Sequence, residues 1–127
     1  METVSDYAVV SDGVTVLEIG GDIDQIFTFA VPGNVNLGER AMATLMLAAV
    51  RSPQDLSWEL QINDRQVITR THNEERFDAA LQEVFQSRSI LRVGSNTATV
   101  RVTGGTGRIR VSDIVIHFQV DVASQVA

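Results

Sequence analysis

A chain of 127 residues is one domain's worth and long enough to bury a core unaided, so a single domain spanning 1–127 is expected. It has no cysteine, which excludes disulfides and thiolate metal sites; a net charge of −6 and a pI of 4.7 argue against nucleic acid and membrane surfaces as partners. All ten basic residues are arginine, so Schiff-base chemistry and a phosphate-loop lysine are excluded together.

No apolar run reaches the length of a membrane span, and residues 1–15 lack the basic start and apolar block of a signal peptide. The cellular compartment is left open. Along the chain, Tyr7-Ala8-Val9-Val10 predicts a short edge strand running into a turn signal at Ser11-Asp12-Gly13. Val14 to Ile19 predicts a second strand, ended by Gly20-Gly21-Asp22-Ile23-Asp24. In Gln25 to Val31 the side chains of Phe27, Phe29 and Val31 share a face, and Pro32-Gly33 stops the strand. The segment Pro32 to Glu39, with two asparagines and two glycines, predicts an exposed, mobile rim loop.

From Ala41 to Val50 the chain is apolar on both faces, which suits either a helix or a central strand. The strand is preferred, because both neighbours alternate as strands and Ser52-Pro53 gives a hairpin-like break. Leu56, Trp58, Leu60 and Ile62 alternate with polar residues, Asn63-Asp64-Arg65 turns the chain, and Gln66 to Arg70 returns. Then the period changes. Phe77, Ala80, Leu81, Val84 and Phe85 recur at helical spacing behind a Thr71/Glu74 capping box, predicting one short helix over residues 74–87. Ile90 to Val93 reads as a strand before the turn at Gly94-Ser95-Asn96.

Residues 97–122 predict a hairpin closed by Gly104-Gly105-Thr106-Gly107, with Val102 opposite Ile109, Val100 opposite Val111 and Arg101 opposite Arg110. Apolar parity switches between Val111 and Ile114, so a β-bulge is expected at Ser112-Asp113. Nine short strands and one helix make an all-β chain, folded as an antiparallel β-sandwich of the jelly-roll type.

With these strands placed, Ile26 to Val31, Ala43 to Val50, Leu60-Gln61-Ile62-Asn63, Leu91-Arg92-Val93-Gly94-Ser95-Asn96, Thr99-Val100-Arg101-Val102 and Ile109 to Phe118 follow one another in a familiar order. The pattern resembles the galactose-binding-like jelly rolls, a superfamily that includes many non-catalytic carbohydrate-binding modules and discoidin-type domains. The resemblance implies sugar stacking on exposed aromatic rings. Here Trp58, Phe27, Phe29, Phe77, Phe85 and Phe118 all fall on apolar faces as core residues, and only Tyr7 is left for the surface. It also implies a structural calcium ion between an early acidic residue, by position Glu18 or the Asp22/Asp24 pair, and a late one, Asp113. Ordinary turn carboxylates are the alternative for all four.

Catalytic groupings are scarce. There is no nucleophile elbow, and the two histidines read as surface residues: His72 in the loop before the helix, His117 on the polar face of the last strand. They lack the spacing of a zinc pair. Glu74-Glu75 is explained by the first turn of a helix, and Asp22 with Asp24 has no second acidic cluster to make a glycosidase pair. No enzyme is expected.

Arg101, Arg110 and Arg108 gather on the outer face of the expected hairpin, where guanidinium groups suit an anionic ligand; neutralisation of the cluster by Glu59 is the alternative. Two functions compete on these grounds. One is a non-catalytic ligand-binding module taking a glycan or another anionic ligand. The other is a structural subunit that assembles with itself or with protein partners.

Overall fold

Alternating apolar side chains give a pleated strand one buried face, and that pattern runs through most of this chain. A computed structural model describes residues 2–51 and 55–123. Among the described residues there are eight strands, β1 (Glu2–Glu18), β2 (Asp24–Val31), β3 (Arg40–Arg51), β4 (Leu56–Ile62), β5 (Arg65–His72), β6 (Arg76–Gln86), β7 (Gly94–Gly104) and β8 (Gly107–Val122), and one four-residue helix, α1 (Ser87–Ile90).

The strands form two four-stranded antiparallel sheets, sheet A in the order β1-β8-β3-β6 and sheet B in the order β2-β7-β4-β5. β1 pairs with β8, β2 with β7, β3 with β6 and β4 with β5, as if a doubled ribbon had been rolled up. That is a jelly roll. The core between the sheets is built from Leu45, Leu47 and Ala49 of β3, Trp58, Leu60 and Ile62 of β4, Val100 and Val102 of β7, and Ile109, Ile116 and Phe118 of β8. Each fully buried Leu, Ile or Val here contributes roughly 1.5–3 kcal/mol relative to exposure.

Among the described residues the β4–β5 connection is the one within-sheet hairpin between successive strands, and Asn63 and Asp64 turn it with φ of 51° and 66°. Two positive φ values are what a two-residue loop needs, and asparagine and aspartate tolerate them. Asn63 also reaches Asn96: its amide donates to the Asn96 Oδ1 at 2.7 Å and its Oδ1 accepts from the Thr97 N–H at 3.0 Å. Asn96 is buried and donates onward to the Arg92 and Gly94 carbonyls. The bulge near Ser112-Asp113 is present, with Asp113 at φ 54° and the β3–β8 register stepping from Thr44–Val115 to Met46–Ser112.

Several expectations are corrected. β7 and β8 are not a hairpin, because β7 lies in sheet B and β8 in sheet A, and residues 105–106 cross between the sheets. Residues 74–87 are not the helix; β6 occupies most of that span, and the one helical turn among the described residues follows it. The predicted turn at Ser11-Asp12-Gly13 is instead two register shifts inside the continuous strand β1. Ile90 to Val93 is the end of α1 and irregular chain, not a strand. The Pro32–Glu39 loop is tied down rather than free: Asn36 N donates to the Gln119 carbonyl at 2.7 Å and Asn34 exchanges backbone and side-chain bonds with Asp121. The Ser52-Pro53 break lies outside the described residues.

Candidate functional site

The outward face of sheet A is where chemistry and shape coincide. Cross-strand register sets its side chains in rows: Glu18, Arg108, Val50 and Arg76; then Val16, Arg110, Ala48 and Asp78; then Val14, Ser112, Met46 and Ala80. Beyond the Asp113 bulge come Val9, Val115, Thr44 and Gln82, then Tyr7, His117, Met42 and Val84. Ala48 of β3 and Ala80 of β6, small among longer outward side chains, leave the surface hollow. Three depressions of 390, 320 and 280 Å³ follow one another as one shallow cleft, the first adjoining the second at Met46 and the second adjoining the third at Ala48, Asp78 and Arg110.

From Thr44 to Val50 the cleft runs along seven residues of β3, about 20 Å at the rise of a strand. Its apolar floor is Met46, 47% exposed, with Ala48, Ala80 and Val115. At one end Tyr7 is 63% exposed and its ring sits 6.4 Å from that of His117, whose Nε2 lies 3.1 Å from the Thr44 hydroxyl. At the other end stand Arg76, Arg108 and Arg110 with Asp78.

Two of the three arginines expected to bind a ligand are therefore together, and the third is elsewhere. Arg108 and Arg110 project from β8 over sheet A, whereas Arg101 projects from β7 on the outer face of sheet B. Arg101 is opposite Glu59, yet its ion pair is with Asp24, 3.8 Å away. Glu59 is buried and takes the side-chain amides of Gln61 at 2.8 Å and Gln66 at 2.6 Å. The cluster of Arg101 with Arg108 and Arg110 does not form, since it required β7 and β8 to share a sheet.

The carboxylates considered for calcium do not make one donor set. Glu18 faces Arg108 on sheet A, Asp22 is in the following loop with its carbonyl accepting from Glu18 N at 2.8 Å, and Asp24 faces Arg101 on sheet B. Asp113 lies five residues along β8 from Arg108, about 17 Å. Calcium needs roughly six to eight oxygens about one point. Among the described residues no group of three or more His, Cys, Asp or Glu side chains gathers. These four do not fit that ion.

Arg76, Asp78 and the β3 floor were missed in the sequence, the first two because their segment was read as helix. A signal for the floor existed: Ala41 to Val50 is apolar on both faces, and in a two-layer sandwich only one of them can meet the core. His72 was also misplaced. It ends β5 in the interior, where its Nε2 accepts the Trp58 indole N–H at 2.8 Å. Trp58 is fully buried, as its strand pattern required. No helix among the described residues is long and apolar enough to cross a membrane.

No protein-family model and no curated protein matches the sequence. Solved structures do. A family 35 carbohydrate-binding module from an environmental isolate superposes with a TM-score of 0.50 at 11% identity, over 98% of this chain and 100% of that one. What the two chains share is the fold, a jelly-roll β-sandwich. Dimeric latent PorU from Porphyromonas gingivalis matches at TM-score 0.67 and 9% identity over 89% of this chain and 13% of that one. A β-porphyranase of glycoside hydrolase family 86 from the human gut bacterium Bacteroides plebeius matches at 0.64 and 16% over 96% of this chain and 21% of that one. This jelly roll thus spans only a small part of those two longer proteins.

Proposed function

We propose that this jelly roll is a non-catalytic carbohydrate-binding module whose ligand lies along the outer face of sheet A. The observation that carries the reading is the cleft, about 20 Å long at the rise of a strand, with an apolar floor and polar groups at its rim. Sugars present alternating C–H faces and hydroxyls, which suit Met46 and the Tyr7 ring below and Thr44, Gln82 and His117 beside them. The likeness to a carbohydrate-binding module over the whole chain supports the same class.

The test is a glycan array followed by titration calorimetry. A retained oligosaccharide should lose about tenfold in affinity in Tyr7→Ala, in keeping with the 1–3 kcal/mol worth of one stacking ring. Failure of every glycan to bind would overturn the reading. A structural subunit is the second reading, favoured by the exposure of Val9, Val14 and Val16 on the edge strand β1. Mass in solution that rises with concentration, without ligand, would favour it.

A further inference from the structure

Three guanidinium groups surround the 280 Å³ depression at one end of the cleft. Its floor is Ala48 and Val50, and Arg76, Arg108 and Arg110 rise from three positions around it. In register Arg108 and Arg76 flank Val50 from opposite sides, and Arg110 flanks Ala48 opposite Asp78. The two small or branched floor residues hold the flanking strands' side chains apart and leave room between them. That volume is about nine water molecules' worth.

Among the described residues ion pairs are made by Arg70, with Glu83 at 3.1 Å, and Arg101, with Asp24 at 3.8 Å, and the other arginines among them have no carboxylate within 4 Å. What sets Arg76, Arg108 and Arg110 apart is that three such unpaired guanidinium groups line one depression. Asp78 and Glu18 are close by, but three cations face two anions in a chain whose net charge is −6. Unneutralised like charges on one sheet face repel, so the arrangement costs stability in the free protein and is relieved by an anion.

Resting on the carbohydrate reading, we infer that the ligand is an anionic saccharide whose carboxylate or sulfate ester lodges between Arg76, Arg108 and Arg110. Planar guanidinium forks take such groups bidentately, and the neighbouring apolar floor takes the sugar ring that carries the charge. An anionic membrane, a broad surface that would meet the acidic remainder of the molecule as well as the arginines, is disfavoured by the net charge of −6.

Probes that differ only in charge decide the matter. Homogalacturonan and its methyl ester form one pair, and a sulfated galactan with its desulfated product forms the other. Affinity electrophoresis should retard the protein on at least one charged member far more than on its neutral partner, with retardation falling between 50 and 300 mM salt, conditions chosen to span the range where screening sharpens. Arg76→Gln, Arg108→Gln and Arg110→Gln should each weaken that binding, and the triple variant, checked for a melting temperature no lower than the parent's, by at least tenfold. Equal retention of charged and neutral members, unaffected by the triple variant, would overturn the inference and leave the carbohydrate reading standing. Retention on no saccharide at all would overturn both, and binding to anionic vesicles or DNA in their place would overturn this assignment.

Discussion

Trp58 and His72 form the most informative pair of side chains in the core. The indole N–H donates to the His72 Nε2 at 2.8 Å, which requires the neutral ring with its proton on Nδ1, and the Phe77 ring packs 4.6 Å from the imidazole centre. Burial holds the His72 pKa below the ordinary 6.5; Glu74 opposes that shift and Arg70 adds to it. Because the unfolded chain takes up the proton first, the stability from this neutral histidine is complete above pH 6.5 and is lost as pH falls below it. Urea denaturation should therefore give a lower unfolding free energy at pH 5.5 than at pH 7.5. In His72→Gln, where an amide oxygen still accepts from the indole, that difference should shrink; an unchanged difference would show that another group carries it. Trp58 was legible in the sequence, since its alternation with Ser57 and Glu59 fixes which way it points. His72 was not, because its burial depends on β5 continuing where a helix cap was expected.

At the scale of elements, β6 shows how two periods are confused. Phe77, Leu81 and Phe85 are four residues apart, a spacing that returns to one side of a helix and equally to one face of a strand. Only Ala80 and Val84 separate the alternatives, and both point outward from sheet A, Val84 at 53% exposure. The parity switch on β8 was unambiguous by contrast, because Val111 and Ile114 are both buried and an odd separation cannot place both inside without an extra residue. Asp113 is that residue, at φ 54°. Asp113→Gly should keep the bulge and stabilise the fold by about 1 kcal/mol, read as a rise in melting temperature, since glycine adopts positive φ without a Cβ penalty. Gly105 is the opposite case. It has φ +83°, and a Cβ there would run into the Asp55 carbonyl. Gly105→Ala should lower stability by roughly 1–3 kcal/mol in chemical denaturation. A neutral effect would mean that the crossing between the sheets can open at no cost.

For the whole molecule, the pairing of β1 with β8 joins the two ends of the described chain, while β3, β8, β4 and β7 each lie between two partners. This explains why strands were easier to find in the sequence than their neighbours. Alternation is local, but a rolled ribbon sends most successive strands to opposite sheets, so the pattern around Gly104 to Gly107 supports either a hairpin or a crossing. It was this choice that scattered the expected arginine cluster. The same topology ranks the strands by protection. The edge strands β1, β2, β5 and β6 have one hydrogen-bonded neighbour each, and β1 is further loosened by register shifts between Val9 and Ser11 and between Ser11 and Val14. Native-state hydrogen exchange should find the slowest amides on β3, β4, β7 and β8, opening only with global unfolding, and faster ones on β1 from Val9 to Val14. Addition of a ligand that lies across sheet A should slow the β1 amides near Tyr7 and leave those of β2 and β5 unchanged. Protection appearing first on β2 or β5 would move the binding face to sheet B, where Arg101 is.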